Sequence, residues 1–393
     1  MNKIYLDNAS TTAINSEVMA EMMPYFNSVY GNASSLHSFG RDAKAAVETA
    51  RERIAKAIGC LPSEIYFTSG ATESNNWALR GLAYANAGKG KHIITSKIEH
   101  PSVLETCRQL EKEGFTVTYL DVDKYGLVRL DKLLHNIDQD TILISIMAAN
   151  NEVGTIQNIQ AISNIAKEKG VIFHTDATQA IGSVNINAKE MGIDAMSFSS
   201  HKLYGPKGVG ALYVRNGVMI DKFMNGGEQE KNLRAGTLNT PAIVGFGKAV
   251  EIACRDIIAN AKKMSNLRNY FIKEVMNRID TTFLNGHPIQ RLPNNINMSF
   301  GQIEGESVMF MLDMEGIAVS TGSACSSGVT EPPYVLEAMG VSPDLQKGAV
   351  RFTLSKSTTK EEIDTTIDEL EKIVKKLRKI SPITKAQVGK MKK

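Results

Sequence analysis

Cysteine is scarce in this chain of 393 residues, and its four copies, Cys60, Cys107, Cys254 and Cys325, lie far apart. No two form a CxxC pair, which argues against a structural zinc site and against a small disulfide framework; dispersed thiols suit a reducing compartment. Long apolar runs are missing too. None approaches the ~18 residues of a membrane span, and Met1-Asn2-Lys3-Ile4-Tyr5-Leu6-Asp7 is too polar for a signal peptide. A cytoplasmic protein without membrane contact is expected. Aromatics make up 6% and do not interleave with a basic patch, so direct nucleic-acid binding is not expected. Acid is absent from Lys372 to Lys393, where nine residues are Lys or Arg. Without those nine, 36 basic residues face 42 acidic ones, so positions 1–371 carry a formal −6 beneath the net +3. The tail reads first as a solvated, frayed end and second as a docking strip for an acidic partner.

What is present is ordinary globular material, 22% charged and 42% hydrophobic, in a chain long enough for one large and one smaller domain. Hydrophobic periods alternate from residue 41 onward. Helices are expected at 41–58, 73–87, 103–112, 130–136 and 159–169. Strands are expected at 65–68, 92–96, 116–122, 141–147, 171–175, 195–199 and 209–214. Short apolar strands alternating with amphipathic helices imply an α/β fold with a mostly parallel sheet covered on both faces. After about residue 250 come long helices at 241–256 and 261–279, then strands (297–300, 350–355) mixed with helices (307–315, 360–379). The division this suggests is a large α/β domain over 15–260, a small α+β domain over 1–14 and 261–380, and a basic tail over 381–393.

In a parallel sheet ligands sit beyond the carboxyl ends of the strands, and the polar motifs fall there. Asp176 ends an apolar run, and 26 residues later Lys202 lies within Ser199-Ser200-His201-Lys202-Leu203-Tyr204-Gly205-Pro206-Lys207-Gly208. Alone, Lys202 reads as a surface lysine in a turn. With Asp176 it matches the needs of pyridoxal phosphate: an amine for the Schiff base and a carboxylate for the pyridine nitrogen. Ser69-Gly70-Ala71-Thr72 joins a strand to a helix, either as a simple N-cap or as a phosphate cradle. Beside Lys202 the phosphate reading is favoured, with Ser199 and His201 adding donors. His100, also at a strand end, suits ring stacking and proton transfer. Arg351, between apolar neighbours, needs an anion. A substrate carboxylate and an internal salt bridge both remain open. Cys325, in Ser320-Thr321-Gly322-Ser323-Ala324-Cys325-Ser326-Ser327-Gly328, has the small polar neighbours of a reactive loop thiol, whereas the other three cysteines sit in or beside apolar helices.

Together these residues resemble the cysteine desulfurase family (NifS/IscS type), over nearly the whole chain. The most specific pieces are Gly31-Asn32-Ala33-Ser34-Ser35-Leu36-His37, Asn150-Asn151-Glu152-Val153-Gly154, the Lys202 segment, Arg234-Ala235-Gly236-Thr237 and the Cys325 loop through Glu331-Pro332. The resemblance implies a pyridoxal-phosphate-dependent transferase fold of the aspartate-aminotransferase type and conversion of L-cysteine to L-alanine. It further implies Lys202 as Schiff-base lysine, Asp176 on the pyridine nitrogen, Gln179 on the ring hydroxyl and His100 stacked on the ring. Ala71, Thr72, Ser199, Ser200 and His201 would line the phosphate site, with Thr237 reaching in from the second subunit of a homodimer. Asn151 would hold cofactor and substrate, with Arg351 and Asn32 on the substrate side. Cys325 would take the sulfur as a persulfide and pass it to an iron–sulfur scaffold or tRNA-thiolation protein; no resident metal is implied, only a cluster shared transiently with a scaffold. The chain departs from the family pattern at Ala33, Asn225 and Ser355-Lys356. Rival readings are an aminotransferase, a selenocysteine lyase, a non-catalytic sulfur-assembly protein and a cysteine hydrolase pairing Cys325 with His100, the last without an oxyanion signature.

Overall fold

Strand side chains alternate between faces with a period of two, and here each face finds its own core. The computed structural model describes residues 3–321 and 333–381. Its strands are β1 (Ile4–Tyr5), β2 (Ile65–Thr68), β3 (His92–Ser96), β4 (Thr116–Leu120), β5 (Thr141–Ser145), β6 (Ile172–Asp176), β7 (Ala195–Ser199), β8 (Gly210–Val214), β9 (Thr282–Leu284), β10 (Asn295–Phe300), β11 (Ile317–Ala318) and β12 (Ala349–Thr353). Seven of them form one sheet in the order β2-β8-β7-β6-β5-β3-β4. The neighbours from β4 to β7 pair in parallel, and β8 runs antiparallel to both β7 and β2. The sheet is therefore mostly parallel, as its near-continuous apolar strands require.

On one face Ile94, Ile144, Phe173, Phe198 and Tyr213 pack with helices Ser38–Ile58 and Thr240–Arg255. On the other, Ile93, Leu143, Ala195 and Leu212 pack with Trp77 and Leu79 of helix Ala71–Asn86 and Val103 of helix Pro101–Lys112. Each such side chain, once buried, contributes roughly 1.5–3 kcal/mol. Helix Ser38–Ile58 lies tight against Thr240–Arg255 because Gly247 faces Ala50, where an added Cβ would stand 2.6 Å from the Ala50 Cα. It stops at Gly59, whose φ of 70° is the left-handed cap that glycine supplies.

A separate core gathers Phe271, Val275, Ile296, Met298, Phe300, Val350, Phe352, Ile363, Ile367 and Leu370 around an antiparallel sheet of order β12-β10-β9. The N-terminus joins it: Ile4 and Leu6 belong to the same core, β1 pairs in parallel with β11, and Asp7 bridges to Thr353. The helix Lys360–Ile380 that covers this sheet begins with a capping box, Thr359 with Glu362. Among the described residues no helix is long and apolar enough to cross a membrane. Short elements at Ser16–Met22, Pro24–Asn27, Tyr334–Ala338 and Pro343–Lys347, with strands β9 and β11, carry no period long enough to anticipate.

Candidate active site

A cleft of about 570 Å³ opens where the carboxyl ends of β6 and β7 face the start of helix Ala71–Asn86. Ala71, Thr72, His100, Asn151, Asp176, Gln179, Ser199, His201, Lys202 and Arg351 all border it. Ser200 lies buried behind them, its Oγ without a hydrogen-bond partner. Asn32 and Thr237 do not border the cleft within one chain; Asn32 Oδ1 accepts from its own turn, from Ser34 N at 2.9 Å. Cys325 lies outside the described residues. A narrow cavity of about 40 Å³ touches Lys202 and Gln179 from another side. It has room for water rather than for a cofactor.

Lys202 ends the single turn Ser200–Lys202 that follows β7. Its Nζ donates to the backbone carbonyls of Ala9 at 2.5 Å and Ser10 at 2.7 Å. Gln179 Nε2 donates to the same Ala9 oxygen at 3.0 Å. Asp176 ends β6 and is buried, with Oδ1 accepting from Thr178 N at 2.9 Å and Oδ2 from Asn75 Nδ2 at 2.7 Å. Both of these partners are N–H donors, so the carboxylate oxygens accept in each bond.

His100 caps helix Pro101–Lys112, its Nδ1 accepting from Ser102 N at 3.1 Å and lying 2.8 Å from Ser102 Oγ. Burial, the largest influence, pulls this imidazole below its ordinary pKa; the Asp176 charge works the other way and Lys202 reinforces the fall. Asn75 Nδ2 also donates to Ser102 Oγ at 2.9 Å, so Asp176 and His100 are joined through two residues that the sequence did not single out.

Helix Ala71–Asn86 has Gly70 at its N-cap and no side-chain cap bond. The simple N-cap reading therefore loses its chemistry, and the first N–H groups are left for an anion. Glu73 in this first turn holds Ser69 N at 2.8 Å and Arg234 Nε at 2.7 Å, tying the segment before Thr237 to the cradle.

Arg351 sits on β12 between Val350 and Phe352, which point into the small core and turn it the other way. Its Nη2 donates to Asp7 Oδ1 and to Ser10 Oγ, each at 2.9 Å, and Nη1 to the Asn151 carbonyl at 3.1 Å. The internal salt bridge is therefore real, yet the group still borders the cleft and its buried Nε has no partner.

Buried titratable groups surround the site, and burial favours their neutral forms. Burial lowers the His201 pKa to about 4, helped by Lys202 and Lys207, and takes the enclosed His174 to about 4 as well. Burial also raises the Glu99 carboxyl to about 8, against hydrogen bonds from Met147 N and Ser96, and Glu152 to about 7, against Arg351. Cys60 and Cys107 are pushed up to about 12 by burial, and Cys254 upward too, so these thiols stay protonated and inert at neutral pH.

Comparison with known proteins fits this geometry. The aminotransferase class-V family matches residues 4–366. The chain belongs to that family. Among class-V relatives, the cysteine desulfurase IscS of Dictyoglomus turgidum is 54% identical over 380 residues, covering 97% of this chain and 96% of its own. A solved NifS-like protein superposes with a TM-score of 0.91 at 41% identity, covering 96% of this chain and 100% of that one. A structure described as SspA in complex with cysteine gives 0.80 at 37% identity, covering 91% of this chain and all of that one, 100%. Class-V proteins of this kind depend on pyridoxal phosphate, and the residues present fit it. Lys202 offers the amine, Asp176 a carboxyl acceptor and the uncapped helix start N–H groups for an anion. Asn151 Oδ1 and Thr178 Oγ1, on two cleft residues, are buried without hydrogen-bond partners, as acceptors and donors awaiting a polar ligand are.

Proposed function

We propose that this cleft carries out cysteine desulfuration: L-cysteine and the Cys325 thiol yield L-alanine and a Cys325 persulfide. The bond from sulfur to the β-carbon breaks and a sulfur–sulfur bond forms, with no external oxidant or reductant. The observation that carries the reading is the convergence of Lys202, Asp176 and Arg351 on one cleft, in a chain 54% identical to a cysteine desulfurase.

Pyridoxal phosphate, when bound, supplies the electron sink that makes the substrate α-proton acidic. Lys202 would hold the cofactor through its amine and, with that amine released, would serve as the base for that proton. Asp176 would pair with the pyridine nitrogen. The N–H groups at Ala71 and Thr72, with Ser199 and His201, would hold the phosphate; Gln179 would serve the ring hydroxyl and His100 the ring face. Arg351 receives the α-carboxylate, with Asn151 and Asn32 on the same side. Cys325 brings in the thiolate and leaves carrying the sulfur, whose acceptor is an iron–sulfur scaffold or a tRNA-thiolation protein.

The working unit is a homodimer. Its support is a run of exposed apolar side chains, Met19, Met23, Phe26, Tyr30, Leu36 and Phe39, together with Thr237 lying away from its own chain's cleft. We read residues 15–260 as the large unit, 1–14 and 261–380 as the small one and 381–393 as a basic tail, on the strength of the separate small core. The test is Cys325→Ala. Sulfide and alanine release from L-cysteine should fall at least about 100-fold while the absorption of bound cofactor stays; undiminished turnover would overturn the role of Cys325.

A further inference from the structure

The ring nitrogens of His100 are not equivalent, and the network behind the ring shows which one carries the proton. Both hydrogens of the Asn75 amide nitrogen are committed, one to Asp176 Oδ2 at 2.7 Å and one to Ser102 Oγ at 2.9 Å. The amide cannot be turned over, because its oxygen would then face the Asp176 carboxylate at that distance. With its oxygen accepting from Asn75, the Ser102 hydroxyl is free to donate to His100 Nδ1 at 2.8 Å. Ser102 N donates to the same nitrogen at 3.1 Å. A ring nitrogen that accepts twice carries no proton. Asn75 itself is fully buried, and its Oδ1 has no hydrogen-bond partner. A residue serving only to pack would gain nothing from that arrangement; one aiming two N–H groups at fixed acceptors tolerates it.

We infer that Asn75 and Ser102 are positioning residues that lock His100 in the tautomer with its proton on Nε2, the nitrogen left for the cleft. The inference rests on the reading of His100 as a residue facing cofactor and substrate. Its consequence is a division of labour. His100 enters turnover as a proton or hydrogen-bond donor and cannot be the group that removes the first proton, so that duty falls to Lys202. The direction of donation is set from Asn75 toward His100, so the tautomer is a property of the folded chain before any ligand arrives.

The experiment is nitrogen-15 NMR of histidine-labelled full-length protein at fixed neutral pH, with and without cofactor, the His100 signals assigned with His100→Gln. The expected pattern is Nδ1 at the shift of an unprotonated nitrogen and Nε2 at that of a protonated one. In Asn75→Leu and in Ser102→Ala the two shifts should move toward each other as a second tautomer becomes populated. In those variants kcat on L-cysteine should fall about tenfold with KM little changed and cofactor absorption intact. Ser102→Thr, which keeps hydroxyl and N–H, should restore the native pattern and rate. A proton found on Nδ1 in the native chain overturns the inference, as do native shifts and rate in both Asn75→Leu and Ser102→Ala. Should Asn75→Leu not fold, the Ser102→Ala and Ser102→Thr pair decides it alone. Shifts read in the cofactor-free chain do not depend on the reaction, so failure here stays distinct from failure of the desulfurase reading.

Discussion

The two walls of the cleft are built differently. One is the carboxyl edge of the large sheet, where Asp176, Lys202 and the start of helix Ala71–Asn86 each come at or just after the end of a strand of that one sheet. The other is assembled from distant pieces: Arg351 on β12 of the small sheet and the segment Ala9-Ser10-Thr11. Asp7 holds Arg351 from 344 residues away. The sheet wall draws its positions from a scaffold that exists without the site. The other wall holds its shape through an ion pair and backbone contacts that double as the site's own polar groups. On the proposed reading, cofactor retention and substrate grip are expected to be separable.

The strongest way to break that separation is at the sheet wall. Lys202→Ala should abolish turnover and the covalent, reducible cofactor adduct together, read by absorbance and by mass after borohydride; an adduct persisting in that variant would count against the assignment. Arg351→Ala should leave the colour intact and raise KM for L-cysteine about 100-fold, near 3 kcal/mol, the loss of a charged bidentate contact; a colourless Arg351→Ala protein would mean the walls are one unit.

Glu99, under the sheet wall, gives a pH test. Burial lifts its folded-state pKa from 4.5 to about 8, so between those values the folded chain holds a proton the unfolded chain has lost. Stability conferred by this group is therefore present below about 4.5 and lost as pH rises through about 8. Glu99→Gln should flatten this fall by a few kcal/mol at most, at about 1.36 kcal/mol per unit, measured as denaturation midpoints across that range. The smallest effect is expected from Asp7→Asn. With the Asp7 charge gone, a substrate carboxylate loses its direct ion-pair competitor for Arg351. KM for L-cysteine should then fall several-fold while cofactor absorption is unchanged. A raised KM would show that Asp7 orients Arg351 instead of competing for it.

The sheet wall was legible in the sequence for the same reason that it is rigid. Strands Ile65–Thr68, His92–Ser96 and Ala195–Ser199 and helix Ile159–Lys169 fall where the hydrophobic period puts them, and a polar residue just beyond a buried strand is a conspicuous exception to its surroundings. Ends drifted by one or two residues where an apolar run continues past the last ladder bond, as at Ile146 and Met147 beyond β5. The other wall was half legible. Arg351 stood out among Val350 and Phe352, but its two possible partners could not be told apart, because nothing local links it to Asp7 or Ser10. Asn75 and Ser102 were invisible for a different reason. A polar residue in the first turns of a helix is ordinary, and only the tertiary arrangement shows that both face Asp176 and His100. The short helices at Ser16–Met22 and Pro24–Asn27 were missed because neither is long enough to show a period: the first buries only Val18 and Met22 and the second buries no side chain.

Asn8 and Ser10 meet partners 345 and 341 positions further along the chain. Asn8 Nδ2 donates to the Thr353 carbonyl at 2.8 Å, and Ser10 and Asp7 wait on Arg351. During synthesis the strands of the large sheet, and Lys202 with them, precede β12, so the opposite wall stays incomplete until Arg351 has emerged. The part of the cleft built by the sheet can thus be in place before the part that Arg351 completes.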